Sequence, residues 1–193
     1  MNTDLITVFF YSYILGSIPF GLIITKIFLN EDIRTIGSKN IGATNVLRTG
    51  KKSLAILTLL FDIFKGFFSI YITLIYFIDF IYFAGLICLI GHIFPIWLKF
   101  KGGKGVATYV GVILCLSFKF AVVFAIAWLT FLLIFRYSSL SSILSTFLVF
   151  LYSFTTGITD LNLYLFTIFV IIFYTHKENL IRLKNKKENK IKF

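Results

Sequence analysis

The chain has 193 residues, of which 59% are hydrophobic and only 14% charged, yet its formal net charge is +11. Soluble domains carry roughly 25% charged residues, so the composition excludes one. The basic excess would point to nucleic acid in a soluble chain, but here it lies in short loops and the tail, which leaves bilayer orientation, anionic lipid and phosphorylated substrates as its explanations.

Apolar stretches follow one another almost to the end, as in a polytopic all-α integral membrane protein. Helices are predicted over 5–27, 53–77, 80–99, 105–117, 120–136, 139–157 and 161–176. The first run has Asp4 on its flank and no small-residue cleavage site, so it reads as a membrane helix and not as a removed signal. Pro19 and Pro95 are expected to kink their helices. The segment at 105–117 is short, and one long tilted helix over 105–135 would give six spans. Charge favours an odd count, either seven spans or five with a re-entrant segment. With about seven spans, the N-terminus outside and the C-terminus cytoplasmic, the inner side receives Arg34, Lys39, Arg48, Lys51, Lys52, Lys99, Lys101, Lys104 and Arg136. It also receives the tail bases Lys177, Arg182, Lys184, Lys186, Lys187, Lys190 and Lys192, while Lys119 stays outside with Asp4, Asp79 and Asp160. The whole chain, 1–193, reads as one transmembrane domain with a short basic tail from about 177. Cys88 and Cys115 lie in apolar runs and look like packing residues.

Three glycine- and base-rich segments then share the cytoplasmic side: GSKNIGATNVLRTGKK at 37–52, GHIFPIWLKFKGGKGVAT at 91–108 and HKENLIRL at 176–183. In the first, glycines let backbone N–H groups turn toward one point, Ser38, Thr44 and Asn45 add donors, and Arg48 offers a planar fork for phosphate. An ordinary positive-inside loop explains those bases but not the glycines among Ser, Asn and Thr. In the second, Gly102, Gly103 and Gly105 flank Lys104 before a helix start that favours an anion. This is no Walker A loop, since Leu98 and Gly105 stand where Gly and Ser or Thr are required. Asp62 and Lys65, three residues apart inside an apolar span, fall on one helix face and can neutralise each other, in either a functional or a structural role. His92 reads as a structural, hydrogen-bonded residue. His176, Asn179 and Arg182 form a stripe at the inner end of the last helix, and a functional role is favoured there.

The sequence has no HxxxxD pair, no metal-ligand cluster and no GxSxG elbow. What it has are phosphate-binding loops, one plausible base and hydrogen-bond donors, which suits a substrate that arrives already activated. A transporter of a phosphorylated metabolite is the alternative from another class, although transporters more often show paired repeats around a midplane site. A lipid-binding subunit is a third, and it leaves the glycine-rich loops unexplained.

Those three segments, together with SIPFG at 17–21, DIFKG at 62–66 and RYSSLSS at 136–142, resemble in the same order the bacterial acyl-phosphate:glycerol-3-phosphate acyltransferases. The resemblance covers the chain from the first helix to the tail. It implies an enzyme of the bacterial cytoplasmic membrane with its site toward the cytoplasm. That enzyme moves a fatty acyl group from acyl phosphate to the 1-hydroxyl of glycerol 3-phosphate, giving lysophosphatidic acid in early phospholipid synthesis, with no cofactor and no metal. By motif position, Ser38, Arg48, Lys104 and Asn179 are expected to bind phosphate, and His176 to handle the acceptor hydroxyl. His176, Lys104 and Ser38 are the catalytic candidates. Asn40, Thr44, Asn45, Arg48, Gly102, Gly103, Ser142 and Asn179 are the substrate-binding candidates, Thr44 and Asn45 by shaping the first loop. The partners implied are glycerol 3-phosphate, acyl phosphate and membrane lipid, not nucleic acid. Two positions depart from the family pattern: Lys39, where relatives have a small residue, and Lys186, which takes the glycine position of the RLxxGxE tail while Glu188 remains.

Overall fold

Proline cannot donate a helical hydrogen bond, and the first apolar run breaks at Pro19. In the computed structural model, which describes residues 3–191, α1 (Thr3–Ser17) ends there and α2 (Phe20–Leu29) begins. The Ile18 carbonyl released at the break accepts from the Phe20 N–H at 3.1 Å and from Lys65 Nζ at 2.9 Å. Lys65 sits on α4 (Lys52–Tyr76), one turn from Asp62, with its Nζ 3.0 Å from Asp62 Oδ1. Both side chains are 2% exposed. The expected i,i+3 pair therefore exists, and it also supplies the donor that a broken helix in an apolar setting lacks.

Further on come α3 (Ala43–Val46), α5 (Ile81–Ile93), α6 (Val106–Leu116), α7 (Phe118–Phe135), α8 (Ser138–Ser153), α9 (Thr159–Thr175) and α10 (Lys177–Lys184), with short 3₁₀ turns between several of them. The chain divides into two compact units, one ending at Leu116 and the other beginning at Ser117. Helix formation stops at Ser117, whose backbone is extended (φ −163°, ψ 120°), so residues 105–135 are not one helix. Pro95 does not kink a helix either. It ends α5, because the residue before a proline is pushed out of the helical region, and Phe94 sits at φ −124°, ψ 59°.

Among the described residues, five helical segments are long and apolar enough to cross a membrane, and the α9–α10 pair, bent by 57°, makes up to six. The remaining predicted span, the fourth in chain order, is α6, whose 11 residues reach about 16 Å against a hydrocarbon core of about 30 Å. The large apolar side chains left exposed along the long helices, such as Ile27, Ile126 and Leu163, are those a bilayer would cover.

In the first unit, α1 packs on α5 and α4 packs on α6. A β-carbon on Gly66 or Gly111 would overlap the facing backbone, at Thr108 and Ile63, so the small residues set the closeness of α4 and α6. The segment between α2 and α4 is itself packed. Ile33, Ile41 and Val46 are buried with Leu22, Ala55 and Leu98 in one apolar cluster. In the second unit, Trp128 Nε1 on α7 donates to Ser142 Oγ on α8 at 3.1 Å. Phe147 and Phe150 on α8 pack at a tilt against Phe169 and Phe166 on α9, with ring centres 5.1 and 5.2 Å apart.

The tail doubles back within the second unit. The Ile191 N–H donates to the Arg136 carbonyl at 2.8 Å. The Glu188 side chain, 7% exposed, accepts from Ser139 Oγ at 2.8 Å, Asn179 Nδ2 at 2.6 Å and Arg182 Nε at 2.8 Å. Burial pushes this carboxyl upward, but the hydrogen bonds from Arg182, Asn179 and Ser139 outweigh it and hold it below its ordinary 4.5. The chain turns toward Glu188 through Lys186 at φ 55°, a left-handed position that a glycine adopts without strain. Lys192, the last of the tail bases, lies outside the described residues.

Two outcomes are expected. Lys65→Met leaves a buried carboxylate without its cation and the Ile18 carbonyl with only its Phe20 N–H bond, and costs about 3–5 kcal/mol, read as a lowered Tm in detergent. The double replacement Asp62→Leu, Lys65→Met loses less than Lys65→Met alone, and additive losses would contradict the pairing. The depressed Glu188 carboxyl stabilises the docked tail above its unfolded value, and that contribution disappears as pH falls through the folded one. Hydrogen exchange over residues 187–191, corrected for intrinsic rate, should therefore accelerate as pH drops from about 6 to below about 4. In Glu188→Gln it should already be fast and show no such step.

Candidate active site

Asn45 organises the first loop. Its amide Nδ2 donates to the carbonyls of Ile33 at 3.1 Å, Ile36 at 3.0 Å and Asn40 at 2.8 Å, and its Oδ1 accepts from the Ser38 N–H at 2.9 Å. The residue is 2% exposed. Asn45 thus ties the loop together, with its amide protons on backbone carbonyls. Gly37 makes the tight turn beside it at φ 54°, and a β-carbon there would collide with Asn45 Oδ1 and the Arg48 side chain. Lys39, the first departure from the family pattern, also sits at φ 59°. Thr44 and Arg48 are exposed, and Ser38 and Asn40 half-buried, around this Asn45-centred frame.

Upstream, Asp32 caps the 3₁₀ turn Ile33–Thr35 by accepting from the Arg34 N–H at 3.0 Å and pairs with the Arg34 guanidinium at 2.6 Å. The hydrogen bond from that guanidinium holds the Asp32 carboxyl at about 2. Arg34 is committed to this pair, while Arg48 stands in the loop itself.

The second loop runs back along the end of α5. The Gly102 N–H donates to the Ile93 carbonyl and the Gly103 N–H to the His92 carbonyl, both at 3.0 Å. These satisfy carbonyls that a helix end leaves open. The same bonds spend the Gly102 and Gly103 N–H groups on the end of α5. The small size of these glycines is what the site needs, since a β-carbon on Gly102 would strike Pro95 and the α5 carbonyls, and one on Gly103 would enter the His92 ring. Lys104 follows, half-buried, directly before α6. The loop is moored to α1 as well, by Trp97 Nε1 donating to Ser17 Oγ at 2.8 Å and by the Tyr13 hydroxyl donating to the Phe94 carbonyl at 2.8 Å.

His92 reads from the sequence as a structural, hydrogen-bonded residue, and its carbonyl accepts from the Gly103 N–H. It is buried, but its Nδ1 has Asp62 Oδ1 as its ionic neighbour at 3.7 Å, outside hydrogen-bond range.

In the second unit, His176 stands at the bend between α9 and α10, 3% exposed. Its Nδ1 lies 2.8 Å from the Ile172 carbonyl. A carbonyl can only accept, so Nδ1 carries the hydrogen and the neutral ring keeps its lone pair on Nε2. Asn179 and Arg182, one and two turns on, both donate to Glu188. Arg182 also lies 3.7 Å from Glu178. Ser142, buried on α8, donates to the Ser138 carbonyl at 2.8 Å and accepts from Trp128.

Ser38, Asn40, Thr44, Asn45 and Arg48 therefore belong to one ordered loop, and Gly102, Gly103 and Lys104 to another, both in the first unit. His176 and Asn179 share one helix turn in the second. Sequence reasoning left Glu188 and Ser139 without a role. The retained Glu188 in the tail pattern was the available signal. Among the described residues no group of three or more His, Cys, Asp or Glu side chains could hold a metal ion.

The family model described as glycerol-3-phosphate acyltransferase matches residues 6–186. The chain is 52% identical over 181 residues to a glycerol-3-phosphate acyltransferase of Pelagibacter ubique, covering 94% of each chain. It is 47% identical over 182 residues to one of Ehrlichia canis, covering 93% of this chain and 95% of that one. Among solved structures it resembles PlsY (YgiH), described as an integral membrane glycerol 3-phosphate acyltransferase. The glycerol 3-phosphate form of that protein superposes with a TM-score of 0.92 at 38% identity, covering 97% of this chain and 96% of that one. The form with lysophosphatidic acid superposes at 0.89 and 37% identity. The fold, the ordered loops and these matches along nearly the whole length agree: this chain is an integral membrane protein of the glycerol-3-phosphate acyltransferase family.

Proposed function

We propose that this enzyme takes its acyl group from acyl phosphate, delivers it to the 1-hydroxyl of glycerol 3-phosphate, and releases lysophosphatidic acid and inorganic phosphate. The observation that carries this reading is the pair of ordered, basic, glycine-shaped loops at 37–52 and 99–105. Donor and acceptor each bring one phosphate, and each needs an anion site. That the related PlsY is described in a glycerol 3-phosphate form and a lysophosphatidic acid form supports the acceptor and the product.

The chemistry follows from the donor. Acyl phosphate is a mixed anhydride, so phosphate is already a good leaving group and no acyl-enzyme is required. The acceptor hydroxyl oxygen attacks the acyl carbonyl carbon, a carbon–oxygen ester bond forms, and the anhydride carbon–oxygen bond breaks with its electron pair leaving on phosphate. Lys104 is the residue to which we give a substrate phosphate in the 99–105 loop, and its fixed positive charge also meets the negative charge that builds on the carbonyl oxygen. Arg48 and Ser38 hold phosphate within the Asn45-centred frame. His176 orients the attacking hydroxyl through Nε2, the nitrogen that its bond to Ile172 leaves as the acceptor. The hydroxyl proton has two candidate acceptors, His176 Nε2 and a substrate phosphate oxygen, and the pH profile of His176→Ala separates them. Asn179, held by Glu188, adds a phosphate contact in this scheme, and Ser142 a polar one. The apolar helices hold the acyl chain, and the donor enters from the bilayer.

The loops would face the cytoplasm of a bacterial cell membrane, with the N-terminus outside and α6 as a short seventh crossing. Its shortness fits this topology: the 99–105 loop folds back along the last turn of α5, so α6 starts inside that end of the bundle.

Purified protein in lipid should convert palmitoyl phosphate and radiolabelled glycerol 3-phosphate to labelled lysophosphatidic acid with nothing else added. Palmitoyl-CoA should give none, and product from the thioester alone would overturn the donor. Arg48→Ala and Lys104→Ala should each lower kcat/KM about 100-fold or more, with Arg48→Ala raising the KM of a phosphorylated substrate. An unchanged Arg48→Ala enzyme would remove the phosphate role.

A further inference from the structure

The reading above uses Lys104 and its glycines but not the buried group beneath them. Asp62, Lys65 and His92 are all 4% exposed or less. They form a line of contacts: the Ile18 carbonyl to Lys65 Nζ at 2.9 Å, Nζ to Asp62 Oδ1 at 3.0 Å, and Oδ1 to His92 Nδ1 at 3.7 Å. The other edge of the imidazole meets Gly103. A β-carbon at 103 would overlap ring atoms Nε2, Cδ2 and Cε1. The backbone of the same histidine accepts the Gly103 N–H.

We propose that His92 is a positioning residue: its ring, held on one edge by the Asp62–Lys65 pair, is the floor on which Gly103 rests and thereby fixes Lys104 for a substrate phosphate. The proposal rests on the reading of the 99–105 loop as a phosphate site. The physical reason is confinement. A buried ring between an ion pair and a glycine cannot rotate or shift without moving one of them. Removing it leaves a void under the loop, and misplacing a binding group by an ångström is enough to cost one to two orders of magnitude. The arrangement also accounts for Gly103 in a loop whose N–H groups are spent: glycine is there to let the ring in.

The test uses full-length protein in lipid, with KM and kcat for glycerol 3-phosphate and palmitoyl phosphate measured separately, and Tm recorded for every variant. Lys104→Ala is the reference. His92→Ala should raise the KM of the same substrate that Lys104→Ala affects, by about 10-fold or more, and leave the other KM within about twofold. Gly103→Ala alone should lose more activity than His92→Ala. Adding His92→Ala to Gly103→Ala should restore part of it, because the methyl group then occupies the vacated ring space. If His92→Ala does not fold, His92→Gln, which keeps a polar amide near the ring position, carries the same comparison with a smaller rise. A His92 variant that lowers Tm while leaving both KM values unchanged, or that fails to relieve Gly103→Ala, overturns the proposal. A Lys104→Ala enzyme with both KM values unchanged overturns instead the phosphate reading on which it rests.

Discussion

The first unit depends on a buried positive charge. Lys65 meets the Ile18 carbonyl at the helix break beside Pro19, and Asp62 pairs with the buried ammonium. An unpaired charge at this depth would cost several kcal/mol, and so would an unsatisfied carbonyl in hydrocarbon. Joined, the three groups lock the α1–α2 break against the middle of α4. His92 and the start of the 101–105 loop sit on the far side of the same pair. One ion pair therefore relates SIPFG, DIFKG, GHIFP and KGGKG, four segments far apart in sequence, and a transport pathway is not needed to explain charges inside the bilayer.

The two loops reach rigidity by different means. The first is a run of short helical turns, ordered by one asparagine whose amide reaches three carbonyls and by isoleucines at 33 and 41 buried against α2 and α4. The second borrows order from a helix end, pairing its N–H groups with the open carbonyls of α5. In both, the groups that order the loop are spent on protein carbonyls, while the Arg48 side chain is exposed and that of Lys104 half-buried. That division is what a site for a charged substrate requires: preorganised support, and charge placed without further ordering cost.

Apolar run length alone placed the helices to within a few residues, because bilayer spans are the strongest signal a sequence carries. The break at Pro19, the Asp62–Lys65 pair and the shaping role of Asn45 were also legible, since each follows from a local rule. Less legible was whatever depends on a distant partner. Nothing local says that Pro95 ends α5 instead of bending it, that Gly102 and Gly103 spend their N–H groups on that helix, or that the His92 ring lies under Gly103. Glu188 is the clearest case. It reads as one acid in a basic tail, yet it gathers Ser139, Asn179 and Arg182, and the tail turns toward it through a left-handed lysine where the family pattern has glycine.

The central claim is direct transfer between two phosphate-bearing substrates held at once. It is tested most directly by following inorganic phosphate release and lysophosphatidic acid formation together in a rapid-mixing experiment with purified enzyme and palmitoyl phosphate. Direct transfer predicts no phosphate burst without glycerol 3-phosphate, and equal amounts of phosphate and lysophosphatidic acid from the first turnover once it is added. A burst of phosphate equal to the enzyme concentration in the absence of acceptor would mean that the acyl group passes through the protein, and would contradict the account.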